Sequence, residues 1–584
     1  MKKKSILLTA VLLLAVLLFF LKEREKGKEG ELPTGTPAPT KEAQEPYVAK
    51  NVWIVSSGED TLTFFYDGKV QTMATKGKLT EEIKESVGDV TIREEQVVAL
   101  VLKPDKIKAK VLQMDEDGME LEGYGYLPFA KDYKVYRLYD GIKEEPTAKI
   151  LVGSSENEFI LEQGKLCAAL QVACPELKQI RVLLGTEGYT GYYHKTVEFT
   201  ADCDYRVTWG TEERSYGAGE RCVFRNEEFP TSEGRVTIVP EKGDGKITFY
   251  SFKRAEGYPS YRGVVEIAKK EEGFLLVNEL SLEEYLYGVL PSEMPSDFAP
   301  EALKAQAICA RSYAYMGVTE NRYAKYGAHV DDSVASQVYN NTKETEAAIL
   351  AVKDTHGQVL FYQDEVVNCY YFSTSGGYTS AAEDVWENAT PVPYLTGKAT
   401  TYDSESPWYR WQTFVPLEVL KTYTEQALKE RYQVVPEQIL TYDEEREEFV
   451  SKPIETLGEP LSYRIVERGA GEIAKKLLIV GTEGVFLVKN EYNIRRVLAP
   501  VGQSIARENG EAVRGSSLLP SAYIELRKGL YKEAEGYLVL GGGYGHGVGM
   551  SQCGADAMAK QGATCEDIME EYYPGTEIGF IYGQ

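Results

Sequence analysis

The residue in this chain best placed to do chemistry is Glu293, in the segment Leu290-Pro-Ser-Glu-Met-Pro295. Pro291 lies two positions before it and Pro295 two after. A proline fixes its own φ and restricts the residue ahead of it, so Met294 is stiffened as well. Leu290, Met294 and Phe298 supply apolar surroundings. A carboxyl group held among such side chains loses water, its pKa rises, and a raised carboxyl is what a general acid near neutral pH requires. On residue chemistry alone a solvated loop glutamate is the commoner reading, because perturbed carboxylates mark sites only as a matter of frequency. Other chemistries find less support. The chain has four histidines and no HExxH. Ser373-Thr-Ser-Gly-Gly377 lacks the first glycine of a serine-hydrolase elbow and reads equally well as a tight turn. The glycines of Gly541–Gly549 match neither a dinucleotide fingerprint nor a P-loop. No cofactor is expected. His194, set among tyrosines, reads as a surface residue. His546 stands in the glycine loop, within reach of a cleft.

Two helices have to position Glu293. Ser281 followed by Glu284 is a capping box that starts the first. Gly288 and Pro291 are expected to end it, leaving Glu293 in the connecting loop. Pro300 starts the second, where its missing N–H costs nothing. Ala302, Ala305, Ala307, Ala310 and Ala314 give that helix a thin side for close packing. Around the pair the chain is rich in strands. Tyr47–Cys174 alternates in short hairpins with no catalytic motif, and Lys178–Lys270 is again strand-rich. A helix is expected over Thr342–Val352, a hairpin turning at Gln363-Asp364, a helix over Leu417–Tyr432, and two helices in the tail, capped by Ser551 and by Thr564 with Asp567. The fold class is α+β: a strand-rich N-terminal region, then a mixed domain with helices flanking a cleft.

These segments, in order, carry a resemblance. LSLEEYLYGVLPSEMP with EALKAQAICARSYA, then SQVY (336–339), YYFSTSGGYT (370–379), PYLTGKATTYD (393–403) and GYGHGVGMSQCGADAMAKQG (543–562) resemble the SpoIID/LytB family of stage II sporulation protein D and the amidase enhancer LytB. The resemblance runs from about Ile180 onward. It implies a lytic transglycosylase acting on peptidoglycan glycan strands, leaving 1,6-anhydro-muramyl ends, or a wall-binding module that stimulates a peptidoglycan amidase without cutting. It implies Glu293 as the catalytic acid and base, and Arg311, Gln337, Ser375, Tyr394, Asp403 and His546 as substrate-binding positions, with Arg311 taking a lactyl carboxylate. Thr396 stands where some members carry a lysine, with Lys398 nearby. Some members also bind zinc just before the QVY. Here Asp331, Asp332, Ala335 and Ser336 occupy that stretch, beside His329, and soft ligands are missing, so no metal is expected.

The net charge of -25 and pI near 4.9 argue against a nucleic-acid partner. Three lysines lead an uncharged run, Ser5–Leu21, that reads as a membrane anchor within residues 1–26, or as a signal peptide. Residues 27–46 form a polar, proline-rich linker. The expected layout is then an accessory β-rich domain over 47–175 and the family-like domain over 176–584, with an insertion around 416–527, the bulk lying outside the cytoplasmic membrane. Of eight spread cysteines, Cys203 with Cys222 or Cys167 with Cys174 are possible pairs that sequence cannot decide.

Overall fold

A computed structural model describes residues 45–79, 81–230, 234–386, 390–531 and 533–582. The expected anchor and nearly all of the linker lie outside the described residues. No helix among the described residues is long and apolar enough to cross a membrane. The architecture is α+β, with strands dominating the first half and eight α-helices among the described residues.

Residues 47–102 close into a five-stranded barrel, and residues 106–171 form a seven-stranded sheet beside it. The central unit follows. A seven-stranded sheet carries, side by side, Arg235–Pro240, Val264–Lys269, Phe274–Ser281, Gln179–Leu183 and the two-residue strand Val330–Asp331. A four-stranded sheet shares its core through Phe199, Phe224, Phe249 and Tyr261. Strand Phe274–Ser281 runs straight into helix α1 (Leu282–Glu293), for which Ser281 is the N-cap.

α1 does not stop at Gly288 or Pro291. Pro291 falls in its last turn, where a proline removes only the bond to the residue four back, and the helix continues to Glu293. Glu293 is therefore the final helical residue rather than a loop residue. α2 (Pro300–Glu320) buries its five alanines and lies against α1, α3 (Glu346–Asp354), strand Gln358–Tyr362 and the tail helices. The approach to the sheet is tight: a Cβ at Gly317 would stand 2.8 Å from Val330. α3 begins four residues later than expected, because the Thr345 hydroxyl accepts from Ala348 N and caps it there. The hairpin turn at Gln363-Asp364 is present, both residues having positive φ.

Beyond the short helix α4 (Ala382–Val385) comes a five-stranded sheet built from Trp411–Pro416, Ser504–Arg507, Ala512–Arg514, Ile524–Tyr531 and Ala534–Gly541. Between its first two strands the chain inserts α5 (Leu417–Val434), a second five-stranded sheet over 439–489 and α6 (Glu491–Val497). The tail returns to the central unit as α7 (Gln552–Lys560) and α8 (Cys565–Tyr572), the latter with the full Thr564–Asp567 capping box.

His194 is buried, not on the surface: its ring packs on Phe252 and its Nε2 lies 3.0 Å from the Leu184 carbonyl. All eight cysteines are free thiols, so neither pairing is formed. The N-terminal region is joined to the central sheet by charge. Arg181 donates to Glu266 and Glu279, Lys110 reaches Glu279 at 2.7 Å, and Arg235 links Glu266 to Glu120. Burial of these carboxylates raises their pKa, but the surrounding cations outweigh it and hold Glu266 and Glu279 below the usual range.

Candidate functional site

Three separated segments meet around Glu293. The first is the end of α1. The second is Gln337-Val338, whose backbone N–H at Val338 donates to Glu293 Oε1 at 2.7 Å. The third is a pair of short parallel strands, Tyr371–Phe372 on Met550–Ser551, which sets the glycine-rich tail against the YYFSTSGG segment. The bond from Val338 N is the one hydrogen bond the Glu293 carboxyl makes among the described residues, and no cation forms an ion pair with it. Glu293 keeps part of its surface toward solvent while its carboxyl lies among protein atoms. Burial pushes its pKa up to about 7, and the Val338 N–H opposes this only in part.

Two phenols flank the acid. Burial, and after it the nearby Glu293 charge, raises both Tyr285 and Tyr371 well above the usual phenol range, so both stay neutral. Gln337 holds them in place. It accepts from the Tyr285 hydroxyl at 3.4 Å and donates to the Tyr371 hydroxyl at 3.1 Å and to the Ala310 carbonyl at 3.3 Å. With Tyr371 accepting from Gln337, its own proton has no acceptor among the described residues. Below them runs a row of half-buried rings: Tyr313 to Tyr370 at 5.9 Å, Tyr370 to Trp386 at 4.5 Å, Trp386 to His546 at 5.4 Å. Flat rings of this kind stack on the apolar face of a sugar.

The other expected positions fall in different places. Arg311 is not available to a ligand, which corrects its assignment as a substrate-binding residue. It is fully buried, its Nε and Nη2 each 2.8 Å from the two Glu283 oxygens, and its remaining N–H groups are directed at the carbonyls of Gln358, Val352 and Ala307. A guanidinium has five N–H donors, and here all five face the protein. Gln337 is 2% exposed and acts on the site through Tyr371. Ser375 is buried within its own turn, accepting from Gly377 N and donating to the Tyr378 carbonyl. Asp403 is 1% exposed; its Oδ1 accepts from Ser375 N and the Ser551 hydroxyl, tying the STSGG turn to the start of α7. Burial pushes its pKa up to about 6. Tyr394 is buried against Tyr362. Lys398 is paired with Glu571 at 2.8 Å. His546 accepts from Val548 N, and burial lowers it to about 4, so it is neutral and packs as part of the ring row.

The structure therefore brings Glu293, Gln337 and His546 into one region and leaves Ser375 and Asp403 as its brace. The residues just before the QVY are already engaged. His329 bonds through both ring nitrogens, to Arg181 N and the Val152 carbonyl, and Asp332 pairs with Arg254 and Gly185 N. Sequence reading missed Tyr285, Tyr371 and Gln552. Tyr285 precedes Glu293 by eight positions, two and a bit helical turns, so a helix carried through Pro291 would have put both on one side.

The comparisons with known proteins agree with this layout. The model of the stage II sporulation protein family, SpoIID, matches residues 270–362, the span of α1, α2, α3 and the QVY segment. Stage II sporulation protein D of Bacillus subtilis (strain 168) is 31% identical over 323 residues, covering 52% of this chain and 75% of that protein. Its counterpart in Bacillus amyloliquefaciens is 30% identical over 318 residues, with 52% and 75% covered. The amidase enhancer of Bacillus subtilis (strain 168) is 30% identical over 301 residues, covering 50% of this chain and 40% of that protein. With three quarters of two such relatives matched, and with the matched segments folding together around Glu293, the chain belongs to the stage II sporulation protein D family.

Proposed function

We propose that the chain is a lytic transglycosylase of peptidoglycan glycan strands, with Glu293 as its single acid and base. What carries this reading is the state of that carboxyl: enclosed, unpaired with any cation, and raised to about 7, so that protonated and ionised forms coexist near neutrality. The protonated acid gives its proton to the glycosidic oxygen as the bond to C1 breaks. The resulting carboxylate takes the proton of the muramic acid 6-hydroxyl as that oxygen closes onto C1. One group serves both steps and water is not consumed, so the second carboxylate of ordinary glycosidases is not required. Asp403, the other raised carboxyl discussed, is sealed behind Ser375 and Ser551 and is not placed to act as that partner. Tyr371, with its proton free, is placed to steady a sugar oxygen, and the Tyr313–Tyr370–Trp386 row to hold the rings.

The reading includes a location outside the cytoplasmic membrane, with Ser5–Leu21 as tether. A second reading draws on the relative named amidase enhancer: the same cleft binds glycan and stimulates a wall amidase without cutting. Mass spectrometry of digested glycan strands separates the two. Anhydro-ended products made by the wild type and lost in Glu293→Gln support the enzyme; strands bound but uncut by both support the enhancer.

A further inference from the structure

Arg311 is spent on Glu283, so an acidic ligand has to meet another cation. Beside the STSGG turn a groove of about 430 Å³ opens between Gly376, the Gly541-Gly542 strand end and the turn at Gly471. Its walls at these points are bare backbone, which lets a ligand approach closely. Two guanidiniums border it. Arg468 is committed: it donates to the carbonyls of Glu472 and Ile524, and its Nε lies 3.4 Å from the Glu472 carboxylate. Arg410 is different. Its guanidinium lies over the Tyr409 ring at 4.0 Å, and Nη1 donates to the Gly376 carbonyl at 2.8 Å and the Tyr409 carbonyl at 2.7 Å. It is thus fixed at one nitrogen. Its Nε and Nη2 make no hydrogen bond, and no carboxylate among the described residues pairs with it. What remains is a planar edge with two parallel donors, the geometry that takes a carboxylate bidentately.

The groove and the Glu293 site are joined through the YYFSTSGG segment, which carries Tyr371 at one end and Gly376 at the other. Gly376 is five residues from Tyr371, so at about 3.8 Å per step their Cα atoms lie no more than about 19 Å apart, a few sugar lengths. Next to it Trp408 and Tyr544 form a ring pair at 4.8 Å, with Tyr544 open to solvent, and Gly543 N bonds to the Trp408 carbonyl. In a chain of net charge -25, a guanidinium held in place without a carboxylate, beside the exposed Tyr544 ring, is matched to an acidic ligand with a flat apolar face, while Trp408 behind it is half-buried and covered by Arg507.

We propose that Arg410 forms a carboxylate-binding subsite of the glycan cleft, taking the lactyl carboxylate of a muramic acid residue some sugars away from the bond at Glu293, while Tyr544 supports the ring. This rests on the glycan reading above. The test is binding of purified glycan strands to the full chain carrying Glu293→Gln, by fluorescence anisotropy. Two forms of the same strands are compared: one with free lactyl carboxylates, one with those carboxylates converted to methyl amides. Strands with free carboxylates should bind more tightly, and Arg410→Gln should weaken them about 10- to 100-fold, the range of a charge-assisted pair. It should leave the amidated strands unchanged, with Arg410→Lys falling between. Equal binding of the two forms, or no effect of Arg410→Gln in a protein whose circular dichroism is intact, overturns the subsite. The chemical arm leaves the protein untouched, so a folding defect in the variant does not decide the matter. If the wild type cuts no strand but the carboxylate preference persists, the Glu293 reading fails and the Arg410 subsite stands.

Discussion

The side-chain amide of Gln552 donates to the backbone carbonyl of Glu293 at 2.9 Å, joining residues 259 positions apart. The last carbonyls of a helix lack intrahelical donors, and here the first residue of α7 supplies one to the last residue of α1. Gln552 also donates to Gln306 on α2 at 3.3 Å, and Asp556 on the next turn accepts from Ala299 N. The connection between α1 and α2, expected from its prolines alone to be stiff, is in fact held from outside by the tail.

Glu293→Gln is expected to abolish strand cleavage while keeping the fold. Acid–base help of this kind is worth about 10²–10⁴ in rate. Digestion products scored for anhydro ends measure it, and a variant that keeps most of the wild-type rate assigns the proton to another group.

The same substitution should reveal the ionisation of Glu293 in stability. Its folded pKa, about 7, lies above the usual 4.5, so between these values the folded chain binds more protons than the unfolded one. Stability contributed by this group then falls as pH rises through that window and is level above about 7. Relative to Glu293→Gln the wild type should lose up to about 3 kcal/mol between pH 4.5 and 8. Urea unfolding at those two pH values checks it; a difference independent of pH places the carboxyl in water.

Arg311→Ala is expected to unfold the chain at lower temperature rather than simply weaken glycan binding. Removing one partner of a buried pair leaves Glu283 charged and alone, at a cost of about 3–5 kcal/mol. The double variant Glu283→Leu with Arg311→Met should recover much of that loss, and thermal melts of the wild type, Glu283→Leu, Arg311→Met and the double variant close the cycle.

Gln552→Leu should lower cleavage while costing about 1–3 kcal/mol in stability, since it leaves the Glu293 carbonyl and the buried Gln306 amide oxygen without that donor but opens no cavity. A Gln552→Glu protein, which cannot donate in its ionised form, should behave alike above neutrality. Full activity in both would show that α1 holds its end without the tail.

Gly554→Ala tests the brace behind the site. A Cβ there would stand 2.1 Å from the Tyr572 hydroxyl and 2.9 Å from Asp403 Oδ2, so the start of α7 must shift. A destabilisation of about 1–3 kcal/mol is expected, relieved in part by Tyr572→Phe. Differential scanning calorimetry reads both.

Much of the framework was legible in the residues. Period-two runs located most strands, the Ser281, Ser551 and Thr564 caps located three helix starts, and Pro300 a fourth. Boundaries slipped where a local signal met a competing one. Pro291 reads as a terminator but sits where a helix is ending anyway, so it costs one bond. Residue roles were harder. An arginine on a helix face reads as solvent-facing until Glu283, on a different helix, is known to lie opposite; His194 looked exposed until Phe252 was placed against it. Such pairings are long-range, and nothing in the neighbouring residues encodes them. Glu293 has a local signal, two prolines and an apolar neighbourhood, but that signal alone favours a solvated glutamate, and it is the ordered family motifs that single the residue out.

The tail that closes onto Glu293 carries a consequence for biogenesis. Ribosomes deliver α1 hundreds of residues before α7, and the Glu293 environment needs both. A chain halted before Met550 has the acidic residue but neither the strand beside Tyr371 nor the bond from Gln552 to the end of α1. The surroundings of Glu293 are thus completed late in synthesis, once the tail has been made.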